Sequence, residues 1–314
     1  MTTVALLSRS ANLDFLRPLL LAADPTLDIR TWPDPACLEA EVALCWQTPA
    51  GLYAQMPNLK LVHSIAAGVD NVIAEQDLRD LPVCRVVDPM LAEGMLQFVL
   101  WGVLYFHRKL DAAMASQRAN EWKRPLQTPA SSCRVGLMGL GELGGLIASR
   151  LPALGYTVNG WSRTPRDVAG VNMFSGPTDG DGDRGYDAFL AQTDVLVCLL
   201  PLTEQTRGIL GRRTFDALPK GATLIHCGRG EHLVEGDLIA ALASGQLRGA
   251  IVDVFEQEPL PPEHPLWSTP GVVVTPHMAT MATFDVVARQ VARNIGQLRS
   301  GAPFFNAVDT ARGY

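Results

Sequence analysis

A glycine-rich turn constrains the fold of this chain more than any other feature. Gly139, Gly141 and Gly144 come after an apolar run at 134–138 and open a segment with helical spacing at 142–154. The first glycine permits a tight turn, the second lets a diphosphate approach the backbone, and the third lets the helix pack on the strand. The free N–H groups and the positive end of the helix then hold the diphosphate. The turn therefore predicts a dinucleotide-binding α/β domain.

Strands and helices alternate on both sides of this turn. The apolar runs predict strands at 4–7, 42–46, 59–65, 134–138, 157–161, 194–199, 222–227, 249–254 and 272–275. Helical spacing is found at 13–23, 91–115, 142–154, 204–217, 234–244 and 285–300, and residues 120–132 are expected to form a connecting arm. This alternation is typical of parallel sheets with right-handed crossovers. We therefore predict an α/β fold with two Rossmann-like, doubly wound parallel sheets.

Length, charge and cysteine content disfavour several classes of protein. A chain of 314 residues suits about two domains. The net charge of −6 offers no basic field for nucleic acid. The six cysteines form no C-x-x-C pair, so a structural zinc site or a disulfide framework is disfavoured. The longest apolar run, 95–106, is shorter than the roughly 20 residues of a membrane span, and no targeting segment is visible. We expect a cytoplasmic protein with no nucleic-acid, membrane or metal partner.

The end of the second strand after the glycine turn bears on the choice of dinucleotide. NAD sites usually place an acidic residue there, against the ribose hydroxyls. This chain has no acid at 161–165 and instead places Ser162, Arg163 and Thr164 together. A guanidinium flanked by hydroxyls suits a 2′-phosphate, which a carboxylate would repel. We predict NADP(H) as the preferred cofactor, with NAD(H) possible; Arg163 stacking on adenine or facing water is the alternative.

Three polar residues follow later strands of the same predicted sheet. They are Arg229, Glu258 and His277. Because ligands of open α/β sheets bind beyond the carboxyl ends of the strands, these side chains can converge. Reduction of a ketone by hydride needs a proton donor, which His277 can be, with Glu258 favouring its charged form. Arg229 can bind a substrate carboxylate and polarise the carbonyl oxygen. The alternative for any one of these residues is a loop residue exposed to water or, for His277, a histidine with a purely structural role.

With these motifs the chain resembles the D-isomer-specific 2-hydroxyacid dehydrogenases, and among them the glyoxylate/hydroxypyruvate reductase A type. The resemblance covers nearly the whole chain. It rests on 66–70 (AAGVD), on the glycine turn with Trp161-Ser162-Arg163, on 227–230 (CGRG), 253–261 (DVFEQEPLP), 265–267 (PLW) and 275–277 (TPH), and on the tail 308–314. The family is made of two α/β domains with the substrate cleft between them. Here that implies a discontinuous substrate domain, 1–98 plus 282–314, and a dinucleotide-binding domain, 99–281.

The resemblance also implies roles for individual positions. Arg229, Glu258 and His277 would be the catalytic set. The cofactor would be bound by Gly139, Gly141, Glu142, Leu143, Gly144, Ser162, Arg163, Thr164, Leu200, Pro201, Thr206, Cys227, Gly228 and Asp253. The substrate would be bound by Trp46, Ala67, Gly68, Val69, Arg229 and Trp267, with ordinary packing as the alternative for the two tryptophans. A homodimer is implied, with the 91–115 helix and the 121–123 arm at its interface.

Two segments depart from the family pattern. Asn, a small residue and Ala often precede Arg-Gly in the family, whereas this chain has His226-Cys227-Gly228. His226 lies close enough to Arg229 to alter the ordering of its loop or the pH dependence. The second segment, 175–185, is rich in Gly and Asp, but its calcium-loop pattern fails at Arg184 and Leu190. We expect it to be a solvated loop away from the chemistry.

Together these features predict NADPH-dependent reduction of small 2-oxo acids, glyoxylate and hydroxypyruvate, to 2-hydroxy acids. One alternative keeps the fold and the same three residues but oxidises another small anion such as phosphite. Oxidation of formate is disfavoured, because the formate dehydrogenases of this family carry Gln at the position of Glu258. The second alternative is a dinucleotide-sensing scaffold similar to the C-terminal-binding-protein corepressors. The intact set of Arg229, Glu258 and His277 and the lack of long disordered tails disfavour it.

Overall fold

The computed structural model describes residues 1–310 with the exception of 74, 76, 79 and 179–184. The chain divides into two compact units. The first comprises Met1–Met90 and the chain from Met281 onward, and the second comprises Leu91–Thr280. The predicted domain boundary between residues 98 and 99 lies inside a helix, Pro89–His107. In the structure the boundary between the two units lies near the start of that helix, between Met90 and Leu91.

The first unit is built on one parallel sheet. Its strands are β1 (Thr2–Leu7), β2 (Leu27–Thr31), β3 (Val42–Cys45), β4 (Leu61–Ser64) and β5 (Val83–Cys84). They lie in the order β2-β1-β3-β4-β5, and every pairing is parallel. Helices of this unit are α1 (Arg17–Ala23), α2 (Asp70–Ile73) and α9 (Phe284–Ser300). Strands β3 and β4 are buried throughout, as expected of parallel strands covered on both faces.

The second unit is built on a larger parallel sheet. Its strands are β6 (Arg134–Met138), β7 (Thr157–Ser162), β8 (Asn172–Ser175), β9 (Val195–Cys198), β10 (Ala222–His226), β11 (Leu247–Val252) and β12 (Val272–Val274). Their order is β12-β11-β10-β9-β6-β7-β8, and all pairings are parallel. Successive strands are added on one side of β6 up to β8 and on its other side from β9 onward. Open sheets bind their ligands at such a switch point, here between β6 and β9. The prediction of two parallel α/β sheets is confirmed.

The helices of the second unit differ from the predicted ones in several places. They are α3 (Pro89–His107), α4 (Leu110–Arg118), α5 (Glu142–Arg150), α6 (Tyr186–Ala191), α7 (Arg212–Ala217) and α8 (Glu235–Ala243). The prediction of one helix over 91–115 is wrong, because Lys109 adopts a left-handed conformation at φ 59° and separates α3 from α4. Arg248 donates to the Phe106 carbonyl at 3.0 Å, which satisfies a group at the end of α3.

Other corrections have similar local causes. The predicted helix at 204–217 is confined to α7, because Gly208 at φ 66° lies in a turn that helical backbone cannot continue through. The predicted 142–154 helix ends at Arg150 and continues as a 3₁₀ turn, Leu151–Leu154. Strand β8 and helix α6 were not predicted, because both are short and flank the Gly/Asp-rich segment. Residues 179–184 of that segment, including the calcium-like positions, lie outside the described residues.

Helix α3 combines an apolar composition with a packed face. By length and mean hydropathy it would be able to cross a membrane, and it is the one such helix in the part of the chain that the structure describes. Met95, Val99 and Val103 are nonetheless buried in a core cluster that also contains Val135 and Ile225 of the sheet. The apolar run predicted as a buried helix therefore supplies one layer of the core of the second unit.

Candidate active site

The glycine turn after β6 contains two glycines where a side chain would clash with the backbone and one where it would not. Gly139 has φ 97°, and a Cβ there would lie 2.6 Å from the Leu199 carbonyl oxygen. A Cβ on Gly144 would lie 1.9 Å from the Gly139 oxygen. A Cβ on Gly141, in contrast, would meet no atom within 4 Å. Open space in front of Gly141, at the start of α5, therefore fits the close approach of a ligand's diphosphate to the backbone.

The next two predicted cofactor positions lie in the first turn of α5. Glu142 is exposed and Leu143 is half-buried. The predicted positions at the end of β7 form a turn of their own, in which the Ser162 hydroxyl donates to the Thr164 carbonyl at 2.8 Å. Arg163 and Thr164 are exposed, as a residue that meets a partly solvated phosphate has to be.

Arg166 joins these two turns and was not predicted from the sequence. Its guanidinium Nη1 donates to the carbonyl oxygen of Leu140, inside the glycine turn, at 3.0 Å. A second cation is therefore tied to the loop that would hold the diphosphate. Its position four residues after Ser162 in a polar loop gave no signal in the sequence.

The turn after β9 lies against the glycine turn, since Gly139 packs on the backbone of Leu199 and Leu200. Leu200 and Pro201 are half-buried. The Thr206 hydroxyl donates to the Pro201 carbonyl at 2.8 Å and accepts from the Thr203 N–H at 2.8 Å. The three predicted residues of this turn are thus held in one hydrogen-bonded loop at the switch point.

Strand β10 leads into the loop that carries Arg229. Cys227 is buried, and its N–H donates to the Cys198 carbonyl at 3.1 Å. A Cβ on Gly228 would lie 2.7 Å from the His232 ring, and one on Gly230 would lie 1.9 Å from the Phe255 carbonyl carbon. Gly230 therefore lets the Arg229 loop lie directly on the chain that follows β11, and Gly228 leaves room for the His232 ring.

Asp253, at the end of β11, organises the loop that carries His277. It is 1% exposed, and its Oδ1 accepts from the Thr275 hydroxyl at 2.6 Å and from the Met278 N–H at 2.9 Å. Its Oδ2 accepts from the Ala279 N–H at 3.0 Å. The His277 N–H donates to the Asp253 carbonyl at 2.8 Å, and His277 itself has φ 50°. A buried carboxylate thus fixes the unusual backbone conformation that presents His277.

His277 and Glu258 form a direct pair. The His277 Nδ1 lies 2.7 Å from the Glu258 Oε2, and the two side chains are 34% and 25% exposed. The other carboxylate oxygen, Oε1, accepts from the Phe255 N–H at 3.0 Å. Burial alone would raise the pKa of Glu258, but hydrogen bonds from His277 and Phe255 and the charges of His277 and Arg229 hold that pKa below its usual value. The structure therefore brings the three predicted catalytic residues into one electrostatic group.

Two buried histidines and a cysteine form a cluster next to the backbone of Arg229. One ligand atom each of Cys198, His226 and His232 lie within 4.8 Å of one another, and all three residues are fully buried. By residue type this trio can bind a soft metal ion. However, His226 and His232 both hydrogen-bond to the backbone of Arg229. His232 was not predicted from the sequence, although its distance of three residues from Arg229 is that of one 3₁₀ turn.

The predicted substrate residues are divided between the two units. Trp267, in the second, is 51% exposed, and its indole N–H donates to the Pro261 carbonyl at 2.8 Å. In the first unit, Trp46, Ala67 and Gly68 are half-buried, and Val69 is buried.

The loop that carries Ala67 and Gly68 follows β4 and is held in part by the Ser64 hydroxyl. The Ser64 hydroxyl donates to the Gly68 carbonyl and accepts from the Ala66 N–H, both at 3.1 Å. These bonds fix the turn in which the predicted N–H donors lie.

Known proteins are similar to this chain over its whole length. Residues 100–279 match the NAD binding domain of the D-isomer specific 2-hydroxyacid dehydrogenases. The chain belongs to this family. A curated relative, glyoxylate/hydroxypyruvate reductase A of Yersinia enterocolitica, is 36% identical over 297 residues, covering 92% of this chain and 93% of the relative.

Solved structures of the family agree with the fold. A D-isomer specific 2-hydroxyacid dehydrogenase of Xanthobacter autotrophicus, in complex with NADPH and MES, has a TM-score of 0.90 and 39% identity, covering 100% of this chain and 99% of that one. The NADPH-dependent glyoxylate/hydroxypyruvate reductase of Sinorhizobium meliloti, with NADP and sulfate, has a TM-score of 0.88 and 36% identity, covering 100% of both chains. This 2-hydroxyacid dehydrogenase is therefore an NAD(P)-dependent oxidoreductase whose structural neighbours hold NADPH or NADP.

Proposed function

We propose that this dehydrogenase reduces small 2-oxo acids, glyoxylate and hydroxypyruvate among them, to 2-hydroxy acids with NADPH. The observation that carries the proposal is the 2.7 Å pair of His277 and Glu258 beside the Arg229 loop, on the same sheet as the glycine turn. The names of the Yersinia and Sinorhizobium proteins support the substrate class.

In this proposal His277 is the general acid. A carboxylate oxygen can only accept, so the His277 Nδ1 that faces Glu258 carries a proton, and Nε2 is the nitrogen that donates to the carbonyl oxygen of the substrate. When bound, the nicotinamide supplies the hydride. Glu258 orients the imidazole and stabilises its charged form, and Asp253 holds the loop that presents it.

Arg229 is proposed to bind the substrate carboxylate. Its planar guanidinium can make two parallel hydrogen bonds to a carboxylate and still polarise the neighbouring carbonyl. The N–H groups of the Ala67–Val69 loop, and the side chains of Trp46 and Trp267, are further proposed substrate contacts.

Substitution of Arg229 tests the proposal. With glyoxylate and NADPH, we expect Arg229→Ala to lower kcat/KM by several powers of ten, and Arg229→Lys to remain impaired because an ammonium lacks the planar fork. NADPH binding, followed by fluorescence, should change little. Near-normal turnover in either variant contradicts the assignment.

Assays of the wild-type enzyme with other anions distinguish the alternative functions. Oxidation of phosphite with NADP+ that is faster than reduction of any 2-oxo acid with NADPH favours the phosphite alternative. Negligible turnover with every acid, together with a partner protein that binds only in the presence of dinucleotide, favours the scaffold.

Selectivity for NADPH is proposed to come from Arg163 with Ser162 and Thr164. Charge-assisted hydrogen bonds contribute about 1.5–3 kcal/mol each, and exposure and salt reduce that contribution. We expect kcat/KM to favour NADPH over NADH by about ten- to several hundredfold, with a smaller ratio at higher salt. The double change Ser162→Asp with Arg163→Ala should reverse the preference, mostly in KM. Equal use of both cofactors by the wild-type enzyme at low salt contradicts this role of Arg163.

A homodimer and a cytoplasmic location complete the proposal. Exposed apolar side chains cluster on α3, on α4 and in the arm that follows: Trp101, Leu104, Leu110, Met114, Trp122 and Leu126. Such a surface is typical of an interface between copies. All six cysteines are free and buried, which suits a reducing compartment.

A further inference from the structure

The peptide groups of Arg229 are held by two buried imidazoles. The Arg229 N–H donates to the His232 Nδ1 at 3.0 Å. The Arg229 carbonyl accepts from the His232 backbone N–H at 3.0 Å and lies 2.9 Å from the His226 Nε2. The Arg229 N–H is therefore bonded to His232, and the Arg229 carbonyl is bonded to both His226 and His232.

These contacts fix the tautomer of each ring. A carbonyl oxygen cannot donate, so the His226 Nε2 must carry its proton. A backbone N–H can only donate, so the His232 Nδ1 must be unprotonated. The His232 Nε2 carries the remaining proton and faces the Pro201 carbonyl at 3.3 Å. The His232 ring is thus neutral, and it links the Arg229 loop to the cofactor turn after β9.

The surroundings keep this cluster neutral. His226 and His232 are 0% exposed, and burial, followed by the neighbouring His232, lowers the pKa of His226 to about 3. The third member of the cluster, the Cys198 thiol on the adjacent strand, has a pKa raised to about 12 by burial. The backbone of Arg229 is consequently held by uncharged side chains, and its guanidinium Nη1 donates to the Gly228 carbonyl at 2.8 Å.

We propose that His226 and His232 are positioning residues, which fix the backbone of Arg229 so that its guanidinium stays in place for the carboxylate of the substrate. The inference rests on the proposed role of Arg229. It also gives a function to His226, which stands where the family often has Asn. A displacement of a binding group by about 1 Å can lower the reaction rate about a hundredfold.

Matched substitutions separate the hydrogen bonds from the bulk of the rings. His226→Leu removes the donor to the Arg229 carbonyl, whereas His226→Gln retains an N–H donor. His232→Leu removes the acceptor for the Arg229 N–H, whereas His232→Asn retains an oxygen acceptor in the place of Nδ1. Thr193→Val is the control for loss of a buried hydrogen bond elsewhere in the unit, since the buried Thr193 hydroxyl donates to the Phe189 carbonyl at 2.8 Å.

The experiment measures KM and kcat for glyoxylate, NADPH binding and the melting temperature of each variant. We expect each leucine variant to raise the KM for glyoxylate about tenfold or more, with kcat less affected and NADPH binding retained. His226→Gln and His232→Asn should recover most of the loss, and Thr193→Val should lower the melting temperature without changing KM. Leucine variants that lose stability but keep the wild-type KM overturn the inference.

A double-mutant cycle distinguishes this inference from the function on which it rests. If His232 acts through Arg229, His232→Leu adds little further loss of kcat/KM in the Arg229→Ala background, and the two effects are non-additive. Fully additive losses overturn the positioning role while Arg229 remains the carboxylate ligand. Wild-type turnover by Arg229→Ala alone contradicts the proposed function instead.

Discussion

His226 and His277 follow parallel strands of the same sheet but have opposite surroundings. His226 ends β10, is 0% exposed and faces the Arg229 carbonyl. His277 follows β12, its side chain is 34% exposed, and it faces the Glu258 carboxylate. Burial, with the charge of Arg229 nearby, keeps the His226 imidazole neutral, whereas His277 has a carboxylate partner and access to solvent. The comparison shows that the partner and the depth of a histidine, more than its place on the sheet, decide whether it can transfer a proton.

Substitution of His277 should lower turnover much more than substitution of His226. We expect His277→Ala to lower kcat for glyoxylate reduction by about a thousandfold, because a positioned general acid contributes about 10²- to 10⁴-fold. His226→Gln, which keeps a donor to the Arg229 carbonyl, should remain within severalfold of the wild type. Steady-state kinetics at saturating NADPH measures both.

The control for this pair is NADPH binding, which neither substitution should remove. A His277→Ala enzyme with close to wild-type kcat would break the comparison, because the half-exposed histidine would then not be the proton donor.

Acid should expose the smaller effect of the buried histidines. Burial lowers the pKa of His226 to about 3 and, in the first unit, that of His63 to about 4. Below an unfolded pKa of about 6.5 the unfolded chain takes up protons that the folded chain does not, so stability falls as pH drops from about 6.5 towards these values. At pH 5 we expect each residue to lower the free energy of unfolding by about 1–2 kcal/mol relative to pH 7.

Thermal denaturation across this pH range measures the effect. Replacement of His226 or His63 by Asn should flatten the dependence of melting temperature on pH. A slope that is identical in wild type and both variants contradicts the account of neutral buried rings.

The sequence predicts this fold and site to different depths. Unbroken apolar strands and glycines at fixed spacing predicted the parallel sheets and the turn at Gly139, because these patterns depend on local sequence. The break at Lys109 was not predictable, because lysine gives no local signal for a left-handed backbone and the Phe106 carbonyl accepts from Arg248, far along the chain, as well as from Lys109. His232 and Arg166 were missed for a similar reason: their roles depend on hydrogen bonds to Arg229 and Leu140 across loops.

The pH dependence of glyoxylate reduction by Glu258→Gln tests the central claim most directly. In the proposed mechanism reduction needs a proton on His277, and the Glu258 carboxylate lies 2.7 Å from the His277 Nδ1. We expect the falling limb of kcat/KM at high pH to move to lower pH in Glu258→Gln, because the negative charge beside His277 is lost, and to stay in place in His226→Gln. A limb that does not move in Glu258→Gln, or that moves instead in His226→Gln, contradicts the assignment of proton transfer to His277 and Glu258.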